Sequence, residues 1–120
     1  MKFLCQVWFE TAKINALPEE EGRLLTQESI VNDNRLRDSG YLVVAQALRA
    51  PSTAVTVRVR DDTVSVTDGP FAELKEHLGG FVLIEAKDIE EAGRIAATFP
   101  VARYGSIEVR PAYDIRFPNE

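Results

Sequence analysis

The first residues of the chain are apolar on two sides. Between residues 2 and 9, every second position is apolar, and two of the intervening positions carry large apolar side chains as well. This period of two predicts a β-strand that is covered on both faces of its sheet. One side holds Phe3, Cys5, Val7 and Phe9, and the other holds Leu4, Gln6 and Trp8.

A long helix is predicted between residues 18 and 39. Pro18 suits a first helical position, three glutamates follow it at the positive end of the helix dipole, and Gly40 can adopt the left-handed conformation that ends a helix. Seven-residue spacing gives this helix one predicted apolar stripe. The stripe comprises Leu17, Leu24 and Val31, with Leu25 and Leu36 beside it.

Strands dominate the middle of the chain. Residues 41–48 are rich in aliphatic side chains, and a break follows at residues 50–52. Valines then alternate with polar residues on both sides of Asp61 and Asp62, which predicts a β-hairpin with strands at residues 55–60 and 63–67. Aspartate tolerates the backbone conformation that such a turn requires.

The last third of the chain repeats the order strand, helix, strand. Residues 81–86 are apolar toward both faces, so this strand is predicted to be central in its sheet. Asp88 and Glu91 have the spacing of a helix-capping box, and Pro100 ends the predicted helix. Its apolar face comprises Ile89, Ala92, Ala96 and Phe99, and the final strand is predicted at residues 106–110.

The resulting order predicts an α+β protein with a ferredoxin-like sandwich, in which an antiparallel sheet has two helices on one face. Residues 1–120 are predicted to form one domain. Two helices cover only one face of such a sheet, yet the first and fifth strands are apolar on both. We therefore predict a homodimer built sheet to sheet.

Charge and composition narrow the classes of partner. The chain has 14 basic and 19 acidic residues, a net charge of −5, which disfavours direct binding of nucleic acid. Cys5 is the single cysteine, so neither a disulfide framework nor a multi-cysteine metal site is expected, and its alternation with apolar neighbours predicts a buried side chain. We predict a cytoplasmic protein with no membrane span, no metal and no cofactor.

A turn of unusual composition follows the predicted hairpin, at Asp68, Gly69, Pro70 and Phe71. Gly69 permits backbone angles closed to other residues, and Pro70 fixes its own φ. Two interpretations are open. The turn is a rigid, capped structural element with Phe71 as a plug, or Asp68 is a general base or ligand anchor in a cleft that Phe71 and Glu73 also border.

These residues also carry a resemblance. The segments at residues 66–73, 75–76, 79–81 and 106–111 resemble the signature of YCII-related proteins with a DGPF motif. The resemblance implies a ferredoxin-like fold of the dimeric α/β-barrel type and a site between the sheet and its loops. It further implies either a small-molecule enzyme that uses a histidine and an aspartate, or an accessory of alternative sigma factors.

One departure from that family bears on catalysis. Enzyme-like members have a histidine early in the chain, whereas this sequence has only His77, after the turn. The family's histidine-aspartate pair therefore cannot be assigned to residues of this chain. A catalytic His77 would need Asp68 or another carboxylate within hydrogen-bonding distance. Whether the protein is an enzyme stays open. The two hypotheses are a small-molecule-binding or enzyme-like dimer and a protein-interaction module linked to transcription regulation.

Overall fold

The computed structural model describes residues 1–116, so the last four residues of the predicted domain lie outside the described part. Within it, six strands and three α-helices follow one another. They are β1 (Lys2–Phe9), α1 (Thr11–Asn15), α2 (Glu19–Asp38), β2 (Leu42–Ala47), β3 (Val55–Arg60), β4 (Thr63–Asp68), β5 (His77–Glu85), α3 (Ile89–Ala96) and β6 (Ser106–Pro111). Short 3₁₀ turns occupy Pro51–Thr53 and Pro100–Arg103.

Four strands form one antiparallel sheet in the order β2-β5-β1-β6. The central position predicted for the fifth strand is confirmed, because β5 lies between β2 and β1. Together with α2 and α3, these strands give the β-α-β-β-α-β order of a ferredoxin-like fold. The α+β class and the antiparallel sheet predicted from the sequence are therefore confirmed.

The core lies between this sheet and the two longer helices. Cys5 of β1 is opposite Val82 of β5 and Val109 of β6, so all three side chains point to the same face. Leu36 of α2 and Ile95 of α3 are buried in the same cluster. Both helices thus pack on one face of the sheet, as predicted.

The opposite face of the sheet is apolar at its centre. Leu4 is opposite Leu83, and Gln6 is opposite Phe81; all four side chains are only partly buried. Lys2 and Glu85 form an ion pair of 3.0 Å at the end of this face. We call this surface the open face, because α2 and α3 lie on the other one.

The ends of the helices follow the sequence signals. Gly40, after α2, has a φ of 84°, the left-handed conformation expected there. The backbone N–H of Glu91 donates to the Asp88 side chain at 2.9 Å, which confirms the cap of α3. In return the Glu91 carboxylate accepts from the N–H of Lys87, one residue before the capping position.

The apolar stripe predicted for α2 is wrong in part. Leu24 is 39% exposed and Val31 is 61% exposed, whereas Leu25 and Leu36 are buried. The helix turns by about 100° per residue, so a stripe displaced by one position faces a different direction. Asn32 takes a buried position beside Leu25 and Leu36, and this polar residue hides the true face from a hydrophobic pattern.

Two further details differ from the prediction. The short helix α1 was not predicted, since five residues give too little periodicity to recognise. Ile89 of α3 is 43% exposed rather than packed, and Ile95 takes the buried position instead. The sheet also contains a bulge between Val7 and Trp8, opposite the paired glycines of β5.

The predicted hairpin is present but stands apart from the sheet. Asp61 and Asp62 have φ values of 50° and 62°, so both turn residues are left-handed, as a two-residue hairpin turn favours. β3 and β4 form a separate two-stranded sheet, inserted in the chain between β2 and β5. The Leu48 N–H donates to the Gly79 carbonyl at 2.9 Å, which joins the two ends of the insertion.

Candidate functional site

A cavity of about 460 Å³ lies between α2 and the sheet, and we call it the α2 cavity. Its volume is within the range of small-molecule sites. Apolar side chains form most of its lining, with a few polar groups contributed by α2 and β2. The lining residues are Val7, Phe9, Ile14, Leu25, Thr26, Ser29, Ile30, Asn32, Asp33, Ala45, Gln46, Ala47, Leu48, Gly79, Gly80, Phe81, Val82, Phe99, Pro100 and Val101.

Small residues on both sides create the space. On the helix, Ser29 and Asn32 stand between Leu25 and Leu36, where larger apolar residues would fill the gap to the sheet. On the sheet, Gly80 lines the cavity without a side chain. A Cβ there would come within 2.8 Å of the Gln46 carbonyl oxygen, so glycine also allows β5 to lie close to β2 at this point. The cavity is therefore a consequence of local sequence rather than of a break in the fold.

Most polar groups in the cavity wall already have partners. The Ser29 hydroxyl donates to the Leu25 carbonyl at 2.8 Å. The Asn32 amide donates to the Thr98 hydroxyl at 3.1 Å, and its oxygen accepts from Arg35 at 2.7 Å. These bonds fix Ser29 and Asn32 as parts of the wall.

Asp33 is the exception in the wall. Within residues 1–116 its carboxylate has no hydrogen bond, although it lines the cavity and is partly buried. Burial raises the pKa of Asp33, and the charge of Arg37 opposes this shift. A carboxylate in this position can accept a hydrogen bond from a ligand or pair with its positive charge.

Asp33 was missed in the sequence. It lies four residues after Ser29 and seven after Thr26, so these three polar residues share one side of α2. That spacing is a signal in principle. A pattern of apolar spacing does not reveal it, because the residues that share this side of the helix are polar.

The turn at residues 68–71 lies at the base of the hairpin. Asp68 ends β4 opposite Val55, and its side chain is exposed. Gly69 has a φ of 91°, which favours glycine, and its N–H donates to the Ala54 carbonyl at 2.7 Å. Its carbonyl accepts from the Thr56 hydroxyl at 2.9 Å, so the backbone of the turn is fastened to the start of β3.

The side chains of this turn lie outside the α2 cavity. Phe71 is 77% exposed, so the prediction that it plugs the turn is wrong, because no neighbouring element covers the ring. Glu73 is exposed as well. Ligand binding by Asp68, Phe71 and Glu73 stays a prediction, and these three residues are not among those that line the cavity.

His77 begins β5 and is partly buried. Its Nε2 lies 2.7 Å from the Thr11 hydroxyl, and the Phe9 ring meets its imidazole edge to face at 5.2 Å between centroids. In the described chain, no carboxylate hydrogen-bonds to His77. A catalytic His77 would need Asp68 or another carboxylate within hydrogen-bonding distance, whereas in the described chain the imidazole pairs with Thr11 and joins α1 to the sheet.

Cys5 is fully buried in the core, as predicted. Burial raises the pKa of its thiol to about 11, so the thiolate is scarce at neutral pH. Cys5 therefore packs as a small apolar residue and is a poor nucleophile.

Neither a cluster of metal ligands nor a membrane-spanning helix is found among the described residues. Across residues 1–116, no group of three or more histidine, cysteine, aspartate or glutamate side chains is placed to hold a metal ion. In the same residues, no helix is long and apolar enough to cross a membrane.

The fold and the cavity together define a ferredoxin-like α+β protein with one largely apolar cavity between a helix and its sheet. Comparison with known proteins gives the family. The model of the YCII-related domain matches residues 1–116, and the chain belongs to the YCII-related family. An uncharacterized protein of Rhizobium meliloti (strain 1021) is 37% identical over 95 residues, which are 78% of this chain and 76% of that protein.

Proposed function

We propose that this protein binds a small molecule in the α2 cavity and functions as a cytoplasmic homodimer of the DGPF branch of its family. The observation that carries the proposal is the Asp33 carboxylate, which is partly buried at a largely apolar cavity without a hydrogen bond from the described chain. A partly buried carboxylate at the cavity wall that has no partner in the described chain is free to accept a hydrogen bond from a ligand.

The lining indicates the chemistry of the ligand. An apolar body fits the aliphatic and aromatic walls, and one cationic or hydrogen-bond-donating group fits Asp33. Ser29 and Asn32 of the wall already have hydrogen-bond partners within the chain, which limits the number of polar groups that a ligand needs. The proposal concerns binding, and whether a reaction follows is a separate question.

Several features support the remaining parts of the proposal. Asp68, Gly69, Pro70 and Phe71 support the DGPF branch. The apolar centre of the open face supports a sheet-to-sheet homodimer, in the manner of a dimeric α/β barrel. A single reduced cysteine is in keeping with the cytoplasm. Continuity of the family match over residues 1–116 supports one domain.

A binding experiment with matched probes tests the cavity. Benzylamine and benzyl alcohol have the same ring, but only the amine is cationic at pH 7. We expect benzylamine to bind more tightly by about fivefold, which corresponds to ~1 kcal/mol. The measurement is a titration of backbone NMR shifts, read at Ala45, Gly80 and Val82 in the cavity wall.

Two variants on the same helix complete the experiment. Asp33→Asn should abolish the preference for the amine, whereas Asp38→Asn, at the exposed end of α2, should retain it. The cavity proposal fails if neither probe shifts the wall residues at millimolar concentration. If Asp33→Asn and Asp38→Asn both keep the wild-type preference for benzylamine, Asp33 is not the group that pairs with the positive charge of the ligand.

A second candidate function rests on a different observation. Phe71 is 77% exposed and Leu74 is 60% exposed, close to the exposed acidic side chains of Asp68 and Glu73. An exposed aromatic side chain among acidic groups suits binding to a basic protein surface. Such a surface fits an accessory module linked to sigma-factor transcription regulation. Calorimetric titration with a purified alternative sigma factor tests this function, and Phe71→Ser should weaken binding at least about tenfold.

A further inference from the structure

The β3–β4 hairpin has an apolar face that no part of the described chain covers. Directly opposite residues of an antiparallel pair point to the same side, and Val57 is opposite Val66 while Val59 is opposite Val64. With Val55 these residues form the valine face, in which each side chain is between 55% and 63% exposed. The other side of the hairpin is polar and holds Thr56, Arg58, Arg60, Thr63, Ser65 and Thr67.

A hairpin of this kind needs cover. An isolated two-stranded hairpin is at best marginally stable in water, and packing against another element is what makes such a unit persist. β3 and β4 pair only with each other and are not hydrogen-bonded to the four-stranded sheet. The clear division into an apolar and a polar side indicates one protein-facing and one solvent-facing surface.

The surface area of the chain indicates how much cover is missing. A compact protein of 13.4 kDa exposes about 6,500 Å², whereas this chain exposes 8519 Å². The difference is about 2,000 Å², and a stable dimer hides roughly 800 Å² on each partner. The radius of gyration of 16.5 Å likewise exceeds the value of about 14 Å expected for 120 residues.

We propose that the valine face packs against a second copy of this chain, so that the hairpin serves as a dimer arm. The inference rests on the homodimer proposed above and adds the arm to the sheet-to-sheet contact. A second copy is the occupant that the areas favour, because the chain has two uncovered apolar surfaces, the valine face and the centre of the open face, and each is present again on a second copy. Five of the six side chains on this side of the hairpin are valines, and the sixth is Asp68, opposite Val55 at the base. The side chains at the centre of the open face carry no charge, and an apolar centre with charged groups at its margin is typical of a homodimer interface.

Two neighbouring positions give a matched test. Val66→Lys places a charge in the valine face, and Thr67→Lys places the same charge on the polar side of the same strand. A two-fold dimer contains each substitution twice. We expect Val66→Lys to raise the dimer dissociation constant by at least about 100-fold, and Thr67→Lys to change it by less than about threefold. Analytical ultracentrifugation measures both constants.

A milder variant guards against misfolding. Val66→Thr keeps a β-branched side chain of similar size, and we expect it to weaken the dimer by about tenfold while the far-ultraviolet circular dichroism stays unchanged. Hydrogen exchange gives a local readout. Amides in β3 and β4 should exchange slowly at concentrations where the wild type is dimeric, and quickly after dilution to the monomer.

The outcomes separate this inference from the proposal on which it rests. A wild type that sediments as a monomer at about 100 µM overturns both the dimer and the arm, and leaves a different protein as the partner of the hairpin. A dimer that Val66→Lys and Thr67→Lys affect equally overturns the arm alone. If neither Val66→Lys nor Val66→Thr weakens the dimer, the arm is also overturned, and the sheet-to-sheet contact remains as the proposed interface.

Discussion

Two regions of this molecule have the same alternating pattern and opposite surroundings. In β1, Phe3, Cys5 and Val7 point toward the helices and are 0 to 8% exposed, whereas the valines of the β3–β4 hairpin are 55 to 63% exposed. Alternation identifies which side of a strand is apolar, because successive side chains point in opposite directions. It does not identify what covers that side. In β1 the cover is part of the same chain, and in the hairpin we propose that it is a second copy.

The largest expected effect contrasts the two regions directly. Phe3 is almost completely buried in the core, and Phe3→Ala should lower the free energy of unfolding by about 3 to 5 kcal/mol. Val59→Ala in the hairpin should lower it by less than about 1 kcal/mol when the protein is dilute enough to be monomeric. Urea unfolding of both variants at low concentration makes the measurement. Equal losses would show that the hairpin is part of the core.

A second prediction concerns the strand that joins these regions. A Cβ on Gly79 would overlap the Phe9 ring, so Gly79→Ala should cost about 1 to 3 kcal/mol of unfolding free energy. Gly93 is the control, since it lies in α3, where a Cβ would meet no heavy atom within 4 Å outside its own helix backbone. Gly93→Ala should stabilise the protein by up to about 1 kcal/mol, because alanine favours helix. Thermal unfolding that ranks the two variants in the reverse order would contradict the packing of Phe9.

The smallest expected effect lies at the cavity. Burial raises the pKa of Asp33 in the folded protein, so the folded state binds its proton more tightly than the unfolded state does. The carboxylate therefore costs stability as pH rises through that raised pKa. Asp33→Asn should remove this loss and make the protein slightly more stable at pH 7 than the wild type, with little difference under acid conditions.

Stability measured between about pH 4 and 7 provides the test. Asp38→Asn, at the exposed end of the same helix, controls for the loss of one negative charge from α2. If both variants change the pH dependence in the same way, the effect comes from net charge and not from burial of Asp33.

The sequence predicted those elements whose own residues determine them. β1 and the hairpin follow from alternation, and the start of α3 follows from the bond between Asp88 and Glu91. The side of α2 that meets the sheet was harder, because the buried Asn32 replaces an apolar residue and is stabilised by Thr98, which is distant in sequence. A buried polar residue whose hydrogen-bond partner is distant in sequence cannot be recognised from the spacing of apolar residues around it.

The candidate site was the least predictable part. The unusual composition of the Asp68 turn predicts a site there, yet Phe71 is exposed and Gly69 hydrogen-bonds to the backbone at the base of the hairpin. The α2 cavity arises from what is missing, namely bulk at Ser29 and Gly80 on facing elements. An absence of volume becomes visible only when both elements are in place, so a single sequence does not reveal it.

The hydrogen bond between Leu48 and Gly79, which joins the two ends of the hairpin insertion, affects how members of the family can diverge. Because the bond from Leu48 to Gly79 brings the two ends of the insertion together, residues 49–76 can change in length or composition while β2 and β5 keep their places. The cavity and the hairpin can therefore evolve at different rates. In the dimer that we propose, changes confined to the hairpin would alter which copies associate and leave the cavity as it is, so duplicated genes with different hairpins would form separate dimers.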